Sequence, residues 1–587
     1  MLYPQQNSCR STSSLDGVWN LRFEWDADAA KGWENGFAPE KKVAVPSSFN
    51  DLYTSYSERN HWGHVWYGRE FEVPDFWRVS GRRVVLRVGS AAYSAEVWLN
   101  GVFLGSHETG YTPFEFDITE KVVAGLNRFV LRINTRLTPD SVPQGEIIVN
   151  ATTGQFVGNH PPGNFDFYPY GGIHRPVVIY TTGERYMESI LVDTSVNTSG
   201  DADVVFRIQA GGAVATGERV KVVIEESGES AEALLEGGSA SVTIRVKSAR
   251  IWDIGKPELY HARIELVSGG AVADVYRQRF GVRTVRIDGE KFLLNGSPVY
   301  FKGFGKHEDF FLIGKGLNDA VNIRDFELMK WVGANSFRTS HYPYAEEVLD
   351  LADEMGFLVI SESPCVSLVP DQATEKTLAT HCAVMREFML RDYNHPSVVV
   401  WCIANEPLSF QEKARPYFEK VVAASRAVDT SRPLMLVTCF GDRDTCLDLV
   451  DIIGVNAYPG WYGGGAPFTQ NMNWFKGFLN LVRERAGGRP MMMTEFGADC
   501  VQGFHMLPSE LWTEDYQRDL LKEIISVIRS TGFIIGEHIW AFSDFRTGQN
   551  HMRALGNRKG VFTRDRQPKM AAYFLRDIWQ DDANKSA

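Results

Sequence analysis

Val398-Val399-Val400-Trp401-Cys402-Ile403-Ala404-Asn405-Glu406-Pro407 is an apolar run that closes on an amide, an acid and a proline. A run of this kind reads as a strand buried on both faces. Parallel α/β barrels are built from such strands and present catalytic side chains at their C-terminal ends. Met491-Met492-Met493-Thr494-Glu495-Phe496-Gly497 repeats the pattern and delivers a second glutamate. The chain between the two has room for three strand–helix units. Two carboxyls at one barrel mouth are what glycoside hydrolysis requires, one to protonate the leaving oxygen and one to attack the anomeric carbon.

Outward from these runs the pattern alternates. Candidate strands are 299–302, 336–338, 357–360, 398–403, 434–437, 452–455, 491–494 and 536–540, with helical stretches such as 323–332 and 345–354 between them. Eight strands with helical crossovers in about 300 residues predict a (β/α)8 TIM barrel over residues 285–587. The strand ends are unusually polar: Lys306-His307-Glu308-Asp309, Arg338-Thr339-Ser340-His341, Ser361-Glu362, Asn405-Glu406, Asn456 through Tyr462, Glu495, and Trp540 through Asp544. One such end is an ordinary solvated loop. Seven on one face read as a site.

Residues 1–182 read as a β-rich, jelly-roll-like sandwich of the sugar-binding kind, with runs such as 84–88, 95–99 and 128–133. Trp19, Trp66, Tyr67 and Trp98 are expected to pack between its two sheets. Residues 183–284 carry alternating strands at 203–208, 219–224, 241–246 and 261–267, about the span of an immunoglobulin-like β-sandwich.

The 587-residue length points to several domains, and 44% hydrophobic with 23% charged residues is globular composition. No apolar run reaches the 18 or more residues of a membrane span, so no membrane partner is expected. The first ten residues lack an apolar signal core, so a cytoplasmic location is expected. Seven scattered cysteines without metal spacing are expected as buried thiols. A net charge of −12 argues against nucleic acid.

Beside the glutamates, Asn405 offers an amide to a sugar hydroxyl, Tyr458 a phenol to a carboxylate, and Trp540 a flat face to a sugar ring. From Arg553 to Lys569 there are six Lys or Arg and one acid, Asp565, in an otherwise acidic chain. Such a loop is often just solvated, but it can also focus an anionic substrate, and Asn557 and Lys559 suit a carboxylate. His307-Glu308-Asp309 lacks metal-binding spacing, and Gly463-Gly464-Gly465 reads as a flexible loop rather than a phosphate cradle.

Several motifs together resemble the β-glucuronidases of glycoside hydrolase family 2 over nearly the whole chain. They are Gly63-His64-Val65-Trp66-Tyr67, Asn164-Phe165-Asp166-Phe167, Gly303 through Asp309, Gly333 through Glu347, Ile403-Ala404-Asn405-Glu406-Pro407, Thr494 through Asp499, and Asn557-Arg558-Lys559. The resemblance implies a retaining exo-glycosidase releasing terminal β-D-glucuronic acid, with Glu406 as acid/base and Glu495 as nucleophile. It implies Asp166, His341 and Asn405 on sugar hydroxyls, Tyr458, Tyr462 and Trp540 lining the subsite, and Arg553, Asn557 and Lys559 on the C6 carboxylate. It further implies a glucuronide substrate, no metal or organic cofactor, and a homo-oligomer, often a tetramer. Phe165 stands where many relatives have histidine, and the segment from Pro364 to Asn394 lacks a long insertion, which implies an open mouth for bulky leaving groups. A β-galacturonidase or dual uronidase, and more remotely a silent carbohydrate-binding protein, remain alternatives.

Overall fold

A computed structural model describes residues 1–27, 29–79, 81–146, 164–213, 217–462 and 468–586. The glycine run 463–465 therefore lies outside the described residues.

The C-terminal part closes into a barrel of eight parallel strands. These are β1 (Phe301–Gly305), β2 (Ser336–Arg338), β3 (Leu358–Glu362), β4 (Val398–Asn405), β5 (Leu434–Thr438), β6 (Ile452–Asn456), β7 (Met491–Glu495) and β8 (Ile534–Trp540). Side-chain alternation sorts each strand into two packing layers. Val359, Trp401, Ile403, Leu436, Ile453, Val455, Met491 and Met493 belong to the cluster shared with the helices. Leu358, Ile360, Val400, Cys402, Met435, Val437, Ile452 and Met492 belong to another, with Trp252, Phe292 and Leu294. Phe292 and Leu294 come from the short antiparallel sheet 285–298 just before β1. That sheet claims Val299, whose N–H bonds Phe292, so β1 begins two residues later than apolar character alone predicts.

Other strands run one or two residues further than expected at their C-terminal ends, through polar Ser361, Glu362, Asn405, Thr438, Asn456 and Glu495. Those residues are still paired to neighbouring strands, so the mouth is set on rigid backbone. The first crossover helix, Asp319–Val332, starts four residues before its apolar pattern. Asn318 caps it by accepting from the Val321 N–H, and Gly333 ends it in the left-handed conformation.

Among the described residues the N-terminal part has sheets of six, four and three strands. Trp19 and Tyr67 fill the core of this sandwich. Trp66 and Trp98 do not. They stack on each other at 5.5 Å in a separate cluster with Ala30, Val130, Trp33 and Phe37. Neighbours on one strand point to opposite faces, so Trp66 and Tyr67 cannot share a core. Among the described residues seven strands between Tyr186 and Gly281 form the middle sandwich, three in one sheet and four in the other. All seven cysteines are free thiols; Cys365, Cys402, Cys446 and Cys500 are buried, while Cys9, Cys382 and Cys439 are half-buried. Among the described residues no helix is long and apolar enough to cross a membrane.

The N-terminal sandwich is pinned onto the barrel mouth. Arg546 pairs with Asp51 at 2.7 Å and lies 3.6 Å over the Tyr168 ring, while its carbonyl accepts the Tyr168 N–H. Arg564 bonds both Asp51 and Asp309. Through these contacts residues 164–170 reach the barrel's C-terminal face.

Candidate active site

A cavity of about 220 Å³ opens at that face, lined by Asn164, Phe165, Asp166, Phe167, His341, Val366, Ser367, Asn405, Glu406, Cys439, Tyr458, Tyr462, Glu495 and Trp540. Both glutamates singled out from sequence face it, and their surroundings differ.

Glu495 ends β7 and is fixed from two sides. Arg338 at the end of β2 donates to Oε1, and Tyr458 donates to Oε2 at 2.6 Å. Burial, with the Glu495 charge second, holds the Tyr458 pKa well above its usual value, so it remains a donor. Arg338 also pairs with Glu362 at 2.6 Å, and Glu362 bonds His341 Nδ1 at 2.7 Å. Burial works to raise the Glu362 pKa, but Arg338 and His341 outweigh it and hold the carboxyl below its usual range. A carboxylate anchored by a guanidinium on one oxygen and a phenol on the other is what an attacking group needs.

Glu406 follows β4 with a left-handed backbone, φ 48°. Loss of water around the carboxyl, then repulsion from Glu495, pushes its pKa up to about 7. Its one side-chain donor among the described residues is Asn456 Nδ2, at 2.8 Å from Oε1. A carboxyl poised near neutrality suits proton transfer in both directions.

Trp540 lines the cavity, but one face of its ring is covered by His341, stacked at 5.0 Å. His307 lies beside Phe167 and Trp540 with Nε2 buried and unpaired. It diverges from Glu308 and Asp309, which face Arg175 and Arg564. Asp350, Asp353 and His395 form the one group of potential metal ligands among the described residues, but Arg279 already pairs with both aspartates.

The loop from 553 to 569 is not the solvated basic surface its charge suggests, nor a bare attractor of anions. Arg553 grips Asp166, Arg558 and Lys569 meet Asp544, Lys559 meets Asp499, Arg564 meets Asp51 and Asp309, and Arg566 meets Asp325. Buried charges demand such partners. Lys559 is 1% exposed. Among the described residues its two acceptors, Asp499 and Tyr462 (3.0 Å), use two of three N–H groups. Asp166 takes two donors of Arg553 and one from Asn557 at 2.8 Å. Arg553, Asn557 and Lys559 therefore stand behind Asp166 and Tyr462 rather than lining the cavity themselves. Arg338, Glu362, Asn456 and Asp499, each at a strand end or in a quoted motif, complete the network without having been assigned roles from sequence.

Comparison with known proteins gives three matches to family models that together span most of the chain. "Glycosyl hydrolases family 2, sugar binding domain" matches residues 12–183, "Glycosyl hydrolases family 2" residues 179–283, and "Glycosyl hydrolases family 2, TIM barrel domain" residues 285–583. The chain is 41% identical to a β-glucuronidase of Paenibacillus borealis, covering 99% of this chain and 98% of that one. It is 38% identical to the Felis catus β-glucuronidase, over 100% and 93%. Among solved structures, a β-glucuronidase of an uncultured Clostridium superposes with a TM-score of 0.91 at 39% identity, covering 99% and 100%. One from Ruminococcus gnavus, in complex with D-glucaro-d-lactam, does so with a TM-score of 0.91 at 38%, covering 98% and 99%.

Proposed function

Because the chain belongs to glycosyl hydrolase family 2, we propose that it removes terminal β-D-glucuronic acid from glucuronides with net retention, Glu406 serving as acid/base and Glu495 as nucleophile. The observation that carries this reading is the contrast between two carboxyls on one cavity. One is anchored by Arg338 and Tyr458, and the other is raised to a pKa of about 7. The relatives named above as β-glucuronidases support the glucuronide as substrate.

Glu406 protonates the glycosidic oxygen while Glu495 attacks the anomeric carbon from the opposite face, and a glycosyl ester forms on Glu495. The ester carries no charge, so the repulsion that raised Glu406 is relieved and its pKa falls. Glu406 is then the base that takes a proton from water, and hydrolysis of the ester restores both groups. On the carboxylate side, the third N–H of Lys559 and the second of Asn557 hold the sugar's C6 carboxylate once Tyr462, which stands between Lys559 and the cavity, swings aside. Asp166, positioned by Arg553, takes a sugar hydroxyl. The 364–394 segment, without a long insertion, leaves room for bulky leaving groups, and a homo-oligomer such as a tetramer belongs to the same proposal.

Initial rates on chromogenic β-glucuronide, β-galacturonide, β-galactoside and β-mannoside test the substrate. The glucuronide is expected to be fastest by a wide margin; a galacturonide or neutral sugar hydrolysed as fast would refute the reading. The pH dependence has a fixed sign. Since the first step needs Glu406 protonated, kcat/KM is expected to fall above pH 7, about tenfold per unit. A profile flat to pH 9 would remove Glu406 as the acid.

A further inference from the structure

Asn456 ends β6, between β5 and the strand that carries Glu495, and its amide touches the acid/base directly. It is 2% exposed, so its partners are fixed by the protein. Nδ2 donates to Glu406 Oε1 at 2.8 Å and to Asn405 Oδ1 at 3.2 Å, and Oδ1 accepts from Thr494 Oγ1 at 2.7 Å.

The direction of these bonds follows from a neighbour that can only donate. The Arg338 guanidinium faces Asn405 Oδ1 at 3.4 Å. Asn405 therefore turns its oxygen toward Arg338 and Asn456, and Asn456 must answer with its NH2 group. The Asn456 oxygen then falls to the Thr494 hydroxyl. An amide N–H pointing at Glu406 Oε1 favours that oxygen as the unprotonated, better acceptor, so the acid proton is placed on Oε2. Oε2 is left open to the cavity that Glu406 lines.

We propose that Asn456, oriented by Thr494 and Asn405, is a positioning residue that confines the Glu406 proton to Oε2 and aims that oxygen at the glycosidic bond. The proposal rests on Glu406 being the acid/base. Other charged or titratable groups around Glu406 are Glu495 on β7, Arg338 on β2, Glu362 on β3, Cys439 after β5, Tyr458 after β6, and His341 across the cavity. None is altered by changing Asn456 or Thr494.

The test measures kcat/KM against pH for wild type, Asn456→Ala, Thr494→Val and Glu406→Gln, on 4-nitrophenyl β-glucuronide and on an alkyl β-glucuronide. The Asn456 bond favours ionised Glu406, so its loss is expected to move the alkaline limb up by about 0.5 to 1 pH unit. Thr494→Val leaves the amide present but free to turn, and is expected to move the limb the same way by less. It also carries the test if Asn456→Ala does not fold. In both variants the alkyl substrate, which depends fully on protonation, is expected to lose at least tenfold more rate than the nitrophenyl one. An unmoved or lowered limb, or equal losses on both substrates, overturns the proposal. A limb that persists in Glu406→Gln overturns the acid/base reading itself. If the limb disappears in that variant yet stays at its wild-type pH in the others, the proposal alone fails.

Discussion

Glu495→Ala is expected to lower turnover of a β-glucuronide by roughly 10⁴- to 10⁶-fold, the scale on which removing an attacking residue acts. The fold should survive, because the side chain is replaced at a cavity wall. Azide should then restore turnover. It enters the space the carboxylate leaves and attacks the anomeric carbon once, from the same side, giving the α-glucuronosyl azide. Glu406→Ala should behave differently. With a good leaving group the first step proceeds without an acid, the ester on Glu495 accumulates, and azide intercepts it from the other face as the β-azide. The two products separate the two roles. Exchanged anomers would exchange the residues, and failure of azide to rescue either variant would leave both roles without support.

Lys559→Ala is expected to abolish the preference for uronides. The lysine's buried ammonium is held by Asp499 and Tyr462, leaving one N–H for a ligand. A hydrogen bond between charged partners contributes about 1.5–3 kcal/mol, and leaving Asp499 with Arg553 as its one remaining cation adds a further cost. Together these predict a fall in kcat/KM on glucuronides of roughly 10² or more, with weak activity on neutral β-glycosides unchanged. The ratio of the two rates is the measurement. A variant that keeps the wild-type ratio would show that the sugar carboxylate is held elsewhere.

The barrel was legible because each strand is a short apolar run with a polar end, a pattern local in sequence. Glu406 and Glu495 stood out for that reason, and Tyr458 sits where its chemistry suits the nucleophile. What sequence could not show is pairing at long range. Arg553 and Asp166 are 387 residues apart, and nothing in the basic loop reveals that each of its charges has a buried or half-buried acid waiting. The same holds for Arg338, which bridges Glu362 and Glu495 across the barrel mouth. Trp66 and Trp98 were misplaced because aromatic content says how much surface is buried but not on which face. Asn456 looked like one more polar strand end; only its bond to Glu406 sets it apart.

The covalent ester on Glu495 is the point on which the mechanism turns. Incubation with 2-deoxy-2-fluoro-β-D-glucuronosyl fluoride, followed by proteolysis and mass spectrometry of the inactivated protein, reads it directly. The fluorosugar should add to the peptide containing Met493-Thr494-Glu495, with fragmentation placing it on Glu495. A label on Glu406 or any other acid, or inactivation with no covalent adduct, would contradict the account.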